Sequence, residues 1–291
     1  VVAQFLQFVF AGITVGALYA LVGLGFSLIY NASQVINFAQ GEFVMIGGLA
    51  SAVLVADGLP LPVAAAIAIA GAVAAGVALE RLAVARAKRA SVTTLIIITI
   101  GASIFLRGLA QVVFDRNFHT LPAFSGDRPI AIAGATIVPQ ALWVLATTLA
   151  IVLALWWFFE RTLLGKAMLA TSYNRLAAQL VGIETRAVMM LSFGLSAALG
   201  AVGGILIAPI SLTSYDVGIM LGLKGFSASI LGGLGSGAGA VVGGLLLGIV
   251  EALGAGYVSS AYKDAIAFVI ILLVLFFMPR GLLGRKSAER V

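Results

Sequence analysis

The sequence predicts an all-α fold, a polytopic transmembrane helical bundle of about eight to ten spans. Three observations predict it. The chain has 291 residues, of which 62% are hydrophobic and only 10% charged, too little charge to cover a soluble domain of this length. Its mean hydropathy is +1.17. Apolar runs of about 20 residues recur from one end to the other, each long enough to cross a hydrocarbon core of about 30 Å. The runs lack the alternation of barrel strands, so the spans are helical and 1–291 reads as one transmembrane domain.

Nine spans are expected, at 5–29, 36–57, 61–84, 92–114, 139–159, 187–208, 218–234, 238–257 and 264–278. With that alternation, Arg81, Arg86, Lys88 and Arg89 share one side with Arg161, Lys166, Arg175 and Arg186, and with Arg280, Arg285, Lys286 and Arg290. Excess positive charge marks the cytoplasmic side, which places the N-terminus outside and the C-terminus in the cytoplasm. Asp57, Asp115, Asp127, Asp216 and Asp264 fall on the other side. The net charge of +6 is thus an orientation signal, and no nucleic-acid partner is expected. The first basic residue is Arg81, so no cleavable signal peptide is expected. The absence of cysteine excludes disulfides, thiolate nucleophiles and cysteine-based metal sites.

Two connections are long. The external loop 115–138 holds the lone histidine, His119, which reads as a solvated loop residue, and PIAIAGATIV, a small hairpin around Gly134. The cytoplasmic segment 161–186 contains KAMLATSYNRLAAQLV, Lys166–Val181, bounded by Gly165 and Gly182. Leu169, Tyr173, Leu176 and Leu180 form one apolar stripe of a single helix, with Ser172, Arg175 and Gln179 on another face. Gly182 is placed to stop that helix and Thr185 to cap the next. The pattern leaves two readings open: a helix lying at the lipid interface, and a helix offered to a groove on another protein.

Small residues recur every four positions in Gly235, Gly239 and Gly243, and again in Gly244, Gly248, Ala252 and Gly256. Gly12, Gly16 and Ala20 do the same, as do Gly200 and Gly204. Each series reads as a close helix-packing face. GGLGSG lacks the Lys-Ser/Thr ending of a P-loop, so the chain has no nucleotide-hydrolysis motif.

Four charges fall inside or at the edge of spans: Glu42, Arg107, Lys224 and Glu251. Each costs about 3 kcal/mol or more near the bilayer centre, so each should face a cavity or a partner. Arg107 lies well inside its span and is the one most in need of a counterion. Lys224 sits in a short, glycine-interrupted span, the pattern of a broken or re-entrant helix near a binding site. In NFAQGEFVMIGG the polar groups Asn37, Gln40 and Glu42 surround Gly41. Gly41 precedes Gly47-Gly48-Leu49 much as Gly225 precedes Gly232-Gly233-Leu234, a weak inverted repeat. The candidate translocation residues are therefore Asn37, Gln40, Gly41, Glu42, Lys224 and Gly225, with Lys224 a possible partner for the Gln40–Glu42 group. Structural ion pairing is the competing reading. The depth of residues 37–42, midplane or cytoplasmic mouth, stays open. An intramembrane serine enzyme is disfavoured: Gly25–Ser27 and Gly194–Ser196 have no histidine in any span to activate them.

GITVGALYALVGLGFSLIYNASQVINFAQGEFVMIGG resembles the opening of the LivH-type branched-chain amino acid permeases of ABC importers. GKAMLATSYNRLAAQLVGIETRAVMMLSFGLSAALGAVGGIL, LKGFSASILGGLGSGAGAVVGGLLLGIVEAL and MPRGLLGR continue the match along essentially the whole chain. The resemblance implies a permease without enzymatic activity in a bacterial inner membrane. It implies heterodimerisation with a LivM-type permease, two cytoplasmic ATPases that carry ATP and Mg, and an external substrate-binding protein. This chain itself would hold no cofactor. By the same resemblance Lys166, Leu169, Tyr173, Asn174, Arg175, Leu176 and Gly182 belong to the ATPase-coupling segment. Two departures stand out. The family's acidic residue in that segment is replaced by the run Ser172-Tyr173-Asn174-Arg175, and its histidine in the opening motif is Gln40 here, which removes a titratable group. Relatives that carry urea, short amides or aromatic acids, and an ion-coupled transporter, are the alternatives.

Overall fold

The computed structural model describes residues 2–87, 90–126, 128–132 and 134–284. Lys88, Arg89, Asp127, Arg285, Lys286 and Arg290 lie outside the described residues. Helices dominate: α1 (Val2–Ser33), α2 (Gln40–Ala56), α3 (Leu61–Leu79, continued by a π-helical turn over Glu80–Val84), α4 (Val92–Phe114), α5 (Pro139–Arg161), α6 (Leu163–Tyr173), α7 (Arg175–Leu180), α8 (Thr185–Ile207), α9 (Val217–Gly232), α10 (Gly237–Tyr257) and α11 (Lys263–Phe277). Two short antiparallel strands, β1 (Ile130–Ile132) and β2 (Ala135–Ile137), form the expected hairpin, with Gly134 at φ +83° in its turn.

Burial is inverted relative to a water-soluble bundle. α4 buries Thr99, Ser103 and Ala110 while Ile97, Ile104, Phe105, Val112 and Val113 are exposed. α5 buries Gln140, Ala141, Val144 and Thr148 and exposes Trp143, Leu149, Trp156 and Trp157. Hydrocarbon accepts the apolar side chains, whereas polar groups must turn inward. Among the described residues six helices, α1, α3 with its π turn, α4, α5, α8 and α10, are long and apolar enough to cross a membrane. Each of the nine expected spans coincides with a helix. α2, α9 and α11, however, have only 17, 16 and 15 residues, or about 26, 24 and 22 Å.

α1 is the central post, buried almost continuously from Gly16 to Ile29. It lies against α10, where a Cβ on Gly12 would sit 2.6 Å from Ile249 Cα and one on Gly16 would sit 2.8 Å from Leu245 Cα. The opposite small-residue face of α10, Gly239 and Gly243, meets α9 at Gly232 and Ala228. The two series thus serve two different neighbours. Gly235 is the exception: it precedes α10, at φ +86°, in a turn held by Asn31 Nδ2 donating to its carbonyl at 2.8 Å. α3 lays Ala64, Ala68, Ala72 and Gly76, spaced by four, against α2 and α8.

The segment expected as one helix over 166–181 is two. α6 starts earlier, at Leu163, because Thr162 Oγ1 accepts from Gly165 N at 2.9 Å. Gly165 therefore lies inside the helix, where its missing Cβ admits the Phe158 carbonyl of α5. Asn174 then leaves helical geometry (φ −156°, ψ 103°) and caps α7 by accepting from Ala177 N at 3.0 Å. Asparagine competes with helix interiors in this way because its side chain can replace a backbone acceptor. Asn174→Ala is expected to weaken α7 by about 1 kcal/mol, read as faster amide exchange over residues 175–180 with the rest of the chain unchanged. Gly182, at φ +89°, stops α7 as expected. Thr185 does not cap α8; it is buried and accepts from Gln179 Nε2 at 2.8 Å.

Candidate functional site

α1 ends in a turn in which Gln34 takes φ 57° and Asn37 Oδ1 accepts from Ala39 N at 3.1 Å. α2 then starts at Gln40, deep in the bundle. Gln40 is fully buried and donates from Nε2 to the Ser196 carbonyl at 3.0 Å. Ser196 Oγ returns 2.5 Å from Gln40 Oε1 and 2.8 Å from the Gly25 carbonyl. Three helices are pinned by these contacts, and a Cβ on Gly25 would fill the space that Gln40 occupies. Ser196 is the central residue of the 23-residue α8, so the start of α2 lies roughly 17 Å from either end of that span. Residues 40–42 are at the level of the span centres, away from the mouth.

Glu42, 1% exposed, faces α4. Ser103 Oγ donates to its Oε1 at 2.7 Å, and Arg107 Nη2 donates to Ser103 Oγ at 3.3 Å. Arg107 Nε stands 3.6 Å from the same Oε1. Glu42 is thus the counterion that Arg107 was expected to need. Ser103 is the central residue of the 23-residue α4, which gives the same depth by a second route. On the other flank α9 begins: Gly218 and Gly222 meet Gly41, backbone to backbone. Two short helices therefore meet near their N-termini in the middle of the bundle, the arrangement of discontinuous helices in transporters. A cavity of about 150 Å³ lies beside them, lined by Glu42, Ser103, Arg107, Gly218, Gly222 and the rings of Phe26, Phe38 and Phe226 among others.

Lys224 and Gly225 are elsewhere. Lys224 Nζ lies 2.7 Å from Glu251 Oε1 and 2.6 Å from Asp264 Oδ1. Tyr19 OH donates to Glu251 Oε2 at 2.8 Å, and Lys263 Nζ is 3.7 Å from Glu251. This second cluster ties α1, α9, α10 and α11 together. Gly225 packs on Val22 and Gly23 of α1. The structure therefore brings Asn37, Gln40, Gly41 and Glu42 together and does not join them to Lys224. Ser103, Gly218, Gly222 and the three phenylalanines went unread in the sequence. Their signal was the four-residue spacing of Ser103–Arg107 and Gly218–Gly222, one helix face each.

At the end of the bundle holding α6 and α7, the buried face is Gly165, Met168, Thr171 and Ala178. Of the apolar stripe, Tyr173, Leu176 and Leu180 are exposed, and Val181 beside them is exposed too. Leu169 and Tyr173 both line a cavity of about 470 Å³ between α1, α5, α6 and α10. Lys166, Asn174, Arg175 and Gly182 are exposed on the same segment. At the opposite end, the hairpin is tethered to α1 by Gln7 Nε2 donating to the Thr136 carbonyl at 3.0 Å. His119 and Thr213 exchange backbone hydrogen bonds there, each at 2.9 Å. Asp115 precedes them at φ 76°. The backbone N–H of Asn117, followed by the His119 ring, holds its carboxyl below the usual range.

The sequence of this chain matches, over residues 8–275, the family described as branched-chain amino acid transport system / permease component. The high-affinity branched-chain amino acid transport system permease protein LivH of Escherichia coli is 37% identical, covering 99% of this chain and 98% of its own length. The corresponding permease protein BraD of Pseudomonas aeruginosa is 33% identical over the same shares. The ribose import permease protein RbsC of Escherichia coli is 25% identical, over 88% of this chain and 80% of its own. Among solved structures, PsaBC from Streptococcus pneumoniae in complex with Fab matches at a TM-score of 0.49 and 17% identity, covering 96% of this chain and 91% of its own. The chain is a multi-pass membrane protein and belongs to the branched-chain amino acid transport system permease family.

Proposed function

We propose that this chain is the transmembrane permease subunit of an ATP-driven importer that moves branched-chain amino acids inward across a bacterial inner membrane. It pairs with a LivM-type permease and takes energy from two cytoplasmic ATPases that bind ATP and Mg. An external binding protein delivers substrate to the face that carries loop 115–138. The orientation follows the basic residues, with the N-terminus outside and the C-terminus in the cytoplasm.

The observation that carries this reading is the α6–α7 segment. It connects two membrane spans at the basic end and leaves Leu176 67%, Leu180 81% and Val181 76% exposed. Apolar side chains on a short helical segment outside the spans fit a groove on a partner. The cavity behind α6 supports the same reading, since a loosely packed α6 can shift against α5 and α10 when the partner moves. Alternating access then follows: ATP-driven closure of the ATPases displaces α6–α7, and the bundle passes the displacement to the meeting point of α2 and α9.

The test is Leu176→Glu, with Arg175→Glu beside it, in the assembled complex. Uptake of leucine should fall at least about tenfold, equivalent to roughly 1.4 kcal/mol of lost coupling, while basal ATPase activity of the partner subunits stays. Unchanged uptake in both variants overturns the docking assignment. Uptake that survives ATP depletion and collapses with the ion gradient would instead identify an ion-coupled transporter. The substrate is read independently by calorimetry of the binding protein against leucine, isoleucine, valine, urea, short amides and aromatic acids.

A further inference from the structure

The cleft between α4 and α9 holds chemistry that packing does not use. Its floor is Glu42, whose Oε1 is occupied by Ser103 and whose Oε2 has no hydrogen-bond partner among the described residues. Arg107 Nε is likewise without a hydrogen-bond partner among them, and the Arg107 side chain is 27% exposed. One anion and one cation therefore stand side by side, each with an unfilled bonding direction, on the wall of one cavity. Leaving such groups unfilled in the interior is costly.

The rest of the wall narrows the ligand. Phe226 lies 5.5 Å from Phe26 and 5.6 Å from Phe38, ring centre to ring centre, so part of the wall is an aromatic cluster. Gly218 packs closely here: a Cβ on it would come 2.5 Å from the Gly41 carbonyl oxygen and 3.1 Å from Glu42 Oε2. The first turn of the 16-residue α9 adds a positive end at the same place. A simple cation would satisfy Glu42 alone, and a simple anion would satisfy Arg107 alone. A molecule with an ammonium and a carboxylate on one carbon answers both, and its side chain has the aromatic wall to lie on. A volume of about 150 Å³ takes a benzene-sized group, which is the bulk of one branched or aromatic side chain.

We propose that this cleft is a transient binding site, within the permease itself, for the zwitterionic head and apolar side chain of an α-amino acid. Glu42 receives the ammonium, Arg107 the carboxylate, and Phe26, Phe38 and Phe226 the side chain. The proposal rests on the reading of the cargo as an amino acid and adds where and by which groups it is held in transit.

The chain has no cysteine, so Leu223→Cys places a single thiol at the rim of the cleft, at a position 41% exposed. Its alkylation rate is measured in the full chain purified in detergent, with leucine, with the α-keto acid of leucine, which lacks the ammonium, or with isoamylamine, which lacks the carboxylate. Leucine at twice its dissociation constant should slow alkylation about threefold, and neither analogue should match it. Glu42→Gln in the same background should remove the protection, and Arg107→Lys, which keeps the cation without its fork, should retain part of it. Equal rates with and without leucine overturn the site. So does equal slowing by all three compounds, which would show an apolar cavity only, and so does full protection in Glu42→Gln. If the assembled complex takes up leucine while alkylation ignores it, this site fails and the transport function stands. If the complex takes up no amino acid, both fail.

Discussion

Gly248→Val is expected to force α1 and α10 apart and destabilise the bundle by about 3 kcal/mol. A Cβ on Gly248 would meet the Gly12 carbonyl and the backbone of Gly16. These atoms belong to a helix backbone and cannot swing away as a side-chain tip would. Relief requires moving the two helices apart, which loosens every contact along the seam. Between helices in lipid that packing is the main attraction, because hydrocarbon provides no hydrophobic drive toward association. The matched controls are Gly71→Ala in α3 and Gly101→Ala in α4, where an added Cβ finds nothing within 4 Å. There the gain in helix propensity should leave stability within about 1 kcal/mol of wild type, on the stabilising side. Thermal unfolding in detergent, with the monodisperse fraction as a second readout, checks the contrast. Gly248→Val melting with the wild type would remove the seam from the stability argument.

Those glycines were legible because their spacing of four is a property of the chain alone. Their partners were not. Nothing in the order of residues shows that Gly244 and Gly248 face α1 while Gly239 and Gly243 face α9. The same limit explains the charges. Arg107 needed a counterion on the ground of cost alone, but that Glu42 supplies it depends on how α2 and α4 lie together. Lys224 looked available to Glu42 because both stand near glycines in echoing motifs; packing gives it Glu251 and Asp264 instead. The depth of Gln40 was also undecidable from length, since a 17-residue helix can begin at either level. Only the contact with Ser196 at the centre of α8 places it. Gln40 is coherent with that depth, because a neutral amide there avoids a buried charge while filling both hydrogen-bonding directions. The break at Asn174 is a local competition that stripe counting overlooks. The stripe of Leu169, Tyr173, Leu176 and Leu180 fits one helix, and a single capping side chain divides it.

Lys224→Met is the second large effect, and it also separates a structural role from a place on the translocation route. Lys224 is 5% exposed and Glu251 6%, so the substitution leaves a buried carboxylate with Tyr19 at 2.8 Å and Lys263 at 3.7 Å as its remaining polar contacts among the described residues. Removing one member of a buried ion pair costs about 3–5 kcal/mol, chiefly from the charge left behind. Asp264 suffers less, since its side chain is 37% exposed, although the oxygen facing Lys224 is buried. Adding Glu251→Gln removes the stranded charge while keeping an acceptor for the Tyr19 hydroxyl. The double variant should therefore recover about 1–3 kcal/mol relative to Lys224→Met, a non-additivity expected of residues in one network. Unfolding in detergent measures this, and strictly additive losses would show that the pair does not act as a unit. Uptake by the assembled complex then divides the two roles. If the cluster only joins α1, α9, α10 and α11, the refolded double variant should transport at a rate close to wild type. A double variant that regains stability but stays inactive would mean that the charges themselves act during transport, because the helices they join would already be in place.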